Sequence, residues 1–169
     1  MVTTARAGLA ALALVLGSAT AHAQATAAPP AADRPQYIRI VAKDYVYDAP
    51  ATVQAGIATI HLINQGADIH HVTVQELPDG RSVKDFFDAA RNTGRPPSWS
   101  KSVGQTATIP NGSEAFIAFR MPAGRYVLSC LIPAADGRSH VAKGMYQLIT
   151  ASAGPAAAAA PRAAGARRP

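Results

Sequence analysis

Cysteine is almost absent from this chain: Cys130 is the only one in 169 residues. A single thiol excludes an internal disulfide framework and a dinuclear centre bridged by two thiolates. It leaves an intermolecular disulfide, an inert core thiol, or a thiolate held by a metal. Aromatic residues make up only 6% of the chain and charged residues 15%, and text with helical periodicity is scarce. The one long apolar run, Leu9 to Gly17, falls short of the ~20 residues that span a bilayer, so no membrane span is expected. Catalytic signatures are missing as well. There is no Ser/His/Asp grouping with a nucleophile elbow, no phosphate-cradling glycine loop and no recognisable carboxylate pair. The expectation is a protein that is not an enzyme.

What is present begins with an export signature. Residues 1–23, MVTTARAGLAALALVLGSATAHA, combine Arg6 in a short basic start, an apolar run and a small-residue end, which reads as a signal peptide cleaved before Gln24. The mature protein is therefore expected in the periplasm or secreted. Residues 24–35 and 151–169 are rich in Ala, Pro and Gly without a periodic apolar face, so they read as a disordered linker and a disordered Ala/Pro/Arg tail. One domain, 36–150, remains. The formal charge of +6 is concentrated outside it: residues 37–150 hold 11 Lys/Arg against 9 Asp/Glu. That balance, in an exported protein, argues against nucleic acid as a partner.

Within the domain, short stretches rich in β-branched residues recur: YIRIVA (37–42), GIATIHLIN (56–64), HHVTVQEL (70–77), TATIP (106–110), EAFIAFRM (114–121), GRYVLSCLI (124–132) and GMYQLIT (144–150). Turn signals such as Pro78-Asp79-Gly80 and Pro110-Asn111-Gly112 separate them. About seven such strands predict an all-β fold, an antiparallel sandwich or barrel. One helix is expected from Ser82, as N-cap, to Arg91, with Val83, Phe86, Phe87 and Ala90 as its apolar stripe. The loop after it carries the only tryptophan, Trp99, expected to pack beneath it.

Strand parity selects candidate ligands. Tyr126, Leu128 and Cys130 share one face, so the thiol points inward from a strand end. His70 shares a face with Val72 and Val74, whereas His71 falls on the other face and is expected to be exposed; a bulge would exchange the two. His61 is expected on a solvent face, and Asp79 and Asp136 in turns. Cysteine, histidine and methionine together suit a soft, redox-active ion. Two imidazoles, a thiolate and a distant thioether favour copper over zinc, which leaves thioethers unused.

The order LINQGADIHHVTV, GRYVLSC, HVAKGM resembles the cupredoxins, the small Greek-key blue-copper proteins such as plastocyanin and pseudoazurin. Asn64 and Gly66 fit the family's strand end and turn before the first histidine, which matches His70. The cysteine that ends the penultimate strand matches Cys130. The H-x-x-x-G-M pattern matches His140, Gly144 and Met145. The resemblance covers nearly all of 37–150 and implies a Greek-key sandwich with a short helical insertion. It also implies one copper ion cycling between Cu(I) and Cu(II), with His70, Cys130, His140 and an axial Met145 as metal ligands. Two departures stand out. Nine residues separate Cys130 from His140 where the family loop is short, an extension that costs on the order of 1 kcal/mol and fits a side excursion returning His140 to the site. Residues 82–105 form an insertion expected over one end of the sandwich.

The implied role is single-electron transfer by a monomer that meets a redox protein partner. Two alternatives are a periplasmic copper chaperone or buffer that meets a copper-accepting protein, and a metal-free cupredoxin-fold interaction module.

Overall fold

The fold is known from a computed structural model that describes residues 35–153. The expected signal peptide, the linker up to residue 34 and the tail from residue 154 lie outside the described residues. Nine strands, one α-helix and a 3-10 turn follow in the order β1 (Gln36–Lys43), β2 (Val46–Asp48), β3 (Thr52–Gln54), β4 (Gly56–Asn64), β5 (Thr73–Leu77), α1 (Val83–Ala90), β6 (Lys101–Gln105), β7 (Glu114–Met121), β8 (Gly124–Ser129), the 3-10 turn (His140–Lys143) and β9 (Tyr146–Ser152).

They form two sheets, β2-β1-β4-β7 and β3-β9-β8-β5-β6. The all-β sandwich is as expected, but the sheets are mixed. β1 runs parallel to β4, and β3 runs parallel to β9, because the chain leaves the first sheet through β2, visits the edge of the second as β3 and returns as β4. Alternation explains the core. In β4, Ala58, Ile60, Leu62 and Asn64 are buried and their neighbours partly exposed, and the first three share one core with Val74, Tyr126, Leu128 and Ile149 of the facing sheet and with Val72 and Cys130 at its strand ends. Each large aliphatic side chain removed from water here contributes about 1.5–3 kcal/mol.

Two elements differ from expectation. TATIP is not a strand. Thr106 N–H donates to Val72 O at 3.0 Å and Ile109 bridges His70, but no ladder forms between them. The strand lies just upstream, as β6, and a register shift between Val74 and Gln75 marks the bulge where it joins β5. The final strand also runs two residues past 150, with Ala151 buried beside Val53.

The helix forms as its text requires. Ser82 caps it, its hydroxyl accepting from Asp85 N–H while the Asp85 carboxylate accepts from Ser82 N–H, a reciprocal capping box. Phe86 and Ala90 face inward. The insertion does not cap an end of the sandwich: its helix and the following loop pack on the outer face of the second sheet, and its last five residues join that sheet as the edge strand β6. Phe86, Ala90, Leu77, Val127 and Val141 make a second small core, with Trp99 and Leu131 at its margin. Trp99 meets Phe86 edge-on at 6.3 Å, under its own loop as expected.

Candidate metal centre

The four candidate ligands converge at one pole of the sandwich, and four different backbone devices place them. His70 precedes β5, and its amide and carbonyl both pair with Ile109, at 3.0 and 2.8 Å. Cys130 follows β8 directly and donates its N–H to Met145 O at 3.1 Å. The 131–139 segment is the side excursion anticipated from its length. Pro133 bridges Ser139, a turn with Gly137 at φ 78° closes the tip, and His140 N–H returns to Ile132 O at 2.8 Å. Gly144 takes φ 102°, a left-handed conformation that ends the 3-10 turn and swings Met145 back into the core.

His70, Cys130, His140 and Met145 each have no exposed surface. The two Nδ1 atoms lie 3.2 Å apart, Cys130 Sγ lies 3.3 Å from His140 Nδ1 and 4.0 Å from His70 Nδ1, and all three donors fall within 4.8 Å of one another. Met145 belongs to the same buried cluster as Cys130.

Behind each imidazole stands a carboxylate. Asp44 Oδ1 is 2.6 Å from His70 Nε2, and Asp68 Oδ2 is 3.2 Å from His140 Nε2. An ionised carboxylate can only accept, so each Nε2 carries hydrogen, and in the neutral ring each Nδ1 then presents a lone pair. Two acceptors cannot hydrogen-bond to each other. The Cys130 thiol has one proton and serves one of them, which leaves the other lone pair orphaned in a buried site. A cation resolves this. An ion about 2.0–2.3 Å from each donor in a trigonal plane needs donor separations of roughly 3.5–3.7 Å, and the observed 3.2, 3.3 and 4.0 Å bracket that range. The residues therefore fit a soft, thiolate-liking metal ion.

Electrostatics agree. Burial pushes the Cys130 thiol up, while hydrogen bonds from the backbone at His71 and Ile132 and from the Tyr47 hydroxyl work the other way, so metal binding must displace a proton. Burial, then the neighbouring His70, hold His140 below the ordinary histidine value. Burial foremost raises Asp44, but its contacts with His70 and with the amides of Ala67 and Asp68 prevail and hold it below the ordinary carboxylate value.

His71 does fall on the opposite face from His70, yet it is buried, with 8% exposure. Leu131, at the start of the excursion, lies against its ring. Its Nε2 accepts from Leu131 N–H at 3.1 Å, and burial, then the two nearby histidines, lower its pKa to about 4. It is a brace for the excursion. His61 lies on the outer face of the first sheet as expected, but under cover, stacked 4.3 Å from Phe116 with Nε2 2.7 Å from Glu114. Asp136 sits at the excursion's tip and pairs with Lys143 at 2.8 Å.

Sequence reasoning missed Asp44, Tyr45 and the role of Asp68. Asp68, two residues before His70 in GADIH, offered a faint signal as a carboxylate near a ligand. Asp44 and Tyr45 offered none. The Tyr45 ring meets His140 edge-on at 4.7 Å, and the Lys143 ammonium lies 4.6 Å over that ring.

A two-sheet sandwich with a His/Cys/His/Met cluster at one pole defines the cupredoxin fold class, and solved structures agree at the level of fold. The dithionite-reduced auracyanin of Roseiflexus castenholzii superposes with a TM-score of 0.50 at 22% identity, over 69% of this chain and 96% of that one. Auracyanin A of Chloroflexus aurantiacus, described as a "blue" copper protein, gives 0.50 at 15% identity, over 70% of this chain and 100% of that one. No family model matches the sequence, and no curated protein matches it.

Proposed function

We propose that the protein binds one copper ion, which His70, Cys130, His140 and Met145 would hold, and carries single electrons to or from a redox protein partner. The observation that carries this reading is the pair of carboxylate-fixed imidazoles that aim Nδ1 lone pairs at the single buried thiol. The resemblance to a protein described as "blue" copper supports the choice of metal. When bound, the ion supplies a one-electron couple. The chain's own residues hold the donors rigid on sheet ends and paired loops, and exclude water from all four. Because rigid donors do not rearrange when the charge on the site changes, electron gain and loss are fast.

Copper-loaded protein should show an intense visible thiolate-to-Cu(II) band and reversible redox behaviour. Cys130→Ser should lose the band, and an unchanged blue spectrum in that variant would overturn the ligand assignment. Titration with azide should leave the band unmoved, since no surface of His140 is exposed. An anion-dependent shift would instead favour an open site and copper delivery or catalysis. We place the protein outside the cytoplasm on the strength of residues 1–23. No helix among the described residues is long and apolar enough to cross a membrane. N-terminal sequencing of the mature protein should begin at Gln24.

A further inference from the structure

Carboxylates grip both ligand imidazoles from behind, and each carboxylate is itself held. Asp44 accepts from Ala67 N–H at 2.8 Å and from Asp68 N–H at 3.3 Å, besides its 2.6 Å contact with His70 Nε2. Gly66 makes this approach possible, because a Cβ there would stand 2.3 Å from Asp44 Oδ1. Asp68 accepts from Ile69 N–H through Oδ1 at 2.8 Å. Its Oδ2 receives His140 Nε2–H at 3.2 Å and the Tyr45 hydroxyl at 3.4 Å. The side chains of Asp44 and Asp68 are 28% and 30% exposed, so both carboxylates keep contact with water.

We propose that Asp44 and Asp68 are positioning residues that lock both histidines in the Nε2–H form and whose two negative charges favour the oxidised ion over the reduced one. The redox half of this rests on the copper reading above; the tautomer half does not. Without the carboxylates, two neutral imidazoles with Nδ1 atoms 3.2 Å apart would settle as a donor–acceptor pair, one Nδ1 carrying hydrogen and lost as a ligand. With them, each ring arrives with its lone pair already aimed. The charges act through the rings: a carboxylate behind an imidazole makes its free nitrogen more electron-rich and stabilises the higher positive charge at the site. The Lys143 ammonium lies over the Tyr45 ring and is paired with Asp136, not with either carboxylate.

The Asp68 series tests this, because Asp44 also holds two backbone amides and its loss would loosen the turn. In metal-free protein, long-range proton–nitrogen correlation spectra of the histidine rings should show His70 and His140 wholly in the Nε2–H form. Asp68→Ala should populate the Nδ1–H form of His140. Asp68→Asn, which keeps an acceptor but no charge, should retain the tautomer. In copper-loaded protein, Asp68→Asn should lower the ratio of Cu(II) to Cu(I) affinity about tenfold, a rise in potential of about 59 mV for one electron. Asp68→Glu should move both readouts back toward the parent, and thermal unfolding checks that each variant folds. An unaltered His140 tautomer in folded Asp68→Ala would overturn the positioning role, and an unaltered potential in Asp68→Asn would overturn the charge role. If the parent protein shows the expected tautomers but takes up no copper, the copper reading fails while the positioning role stands.

Discussion

Gly66 and Asp44 are in such close apposition that a Cβ on residue 66 would stand 2.3 Å from Asp44 Oδ1 and 2.6 Å from His70 Nε2. Neither neighbour can yield freely, since Asp44 is fixed by the amides of Ala67 and Asp68 and His70 by its pairing with Ile109. Gly66→Ala should therefore destabilise the fold by about 1–3 kcal/mol, the usual cost of overpacking. It should also detach Asp44 from His70. Chemical denaturation of the metal-free protein measures the first effect and the His70 tautomer the second. A variant within a few tenths of a kcal/mol of the parent would mean that the turn moves aside.

The adjacent histidines should separate cleanly. His70→Ala removes a donor and should abolish stoichiometric copper and the visible band. His71→Ala should keep both. The His71 variant loses the acceptor for Leu131 N–H, so amide exchange at Leu131 should accelerate. His71→Gln, whose side-chain oxygen can accept that bond, should restore part of the protection. Loss of the band in both alanine variants would contradict the division of labour.

The capping box gives a pH dependence that can be isolated. The Ser82 backbone N–H foremost, then its hydroxyl, hold Asp85 below the ordinary carboxylate value of 3.8. A depressed carboxylate stabilises the folded state above its unfolded pKa, and that contribution disappears as pH falls through the lower folded value. Asp85→Asn should therefore unfold at a lower temperature than the parent at neutral pH, with the gap closing well below pH 3.8. A gap that does not change with pH would show that the box acts through geometry alone.

Chain length at the end of β9 offers another test. A chain ending at Thr150 loses buried Ala151, two of the three residues paired with β3, and the Ser152 carbonyl that accepts from Ala55 N–H at 2.7 Å. With about 1 kcal/mol for a hydrogen bond and a similar amount for the lost burial, the cost should be on the order of 2 kcal/mol. A chain ending at Ala153 keeps this ladder whole and should unfold with the full-length protein. Thermal or urea unfolding of the three lengths decides the matter; equal stability at Thr150 would show that the β3 pairing contributes nothing.

The parts that were legible in the sequence are those governed by local pattern. Alternation aimed Cys130 inward with Tyr126 and Leu128, and set His70 on the face of Val72 and Val74. The Ser82 cap and the Phe86 and Ala90 spacing announced α1. Parity put His71 on the correct face but implied exposure, because nothing local reveals that a second layer covers the sheet. Thr73 and Ser129 are buried there as well, bonded to each other at 2.7 Å. β2 and β3, at three residues each, are too short to show a period, and β6 in KSVGQ has polar, bulged edge-strand text. The carboxylate supports were hidden for a different reason. Asp44 meets His70 across 26 residues and Asp68 meets His140 across 72, separations that no spacing rule encodes.

The direction of the strands has a consequence for how the molecule could be attached to anything else. β1 begins at Gln36 opposite Ala58 and runs toward Asn64 and the Asp44 turn, while β9 ends at Ser152, beyond the pairing of Gly124 with Ala151. The two ends of the described chain meet there, with the Gln36 side chain accepting from Gln54 N–H at 3.0 Å and Ser152 O accepting from Ala55 N–H. β8 separates that pole from Cys130 by six residues, roughly 20 Å at the rise of a strand. A tether joined at either end, whether a linker to another domain, a lipid or the surface of an electrode, would hold the domain like a lamp on a stalk, its histidine pole turned outward.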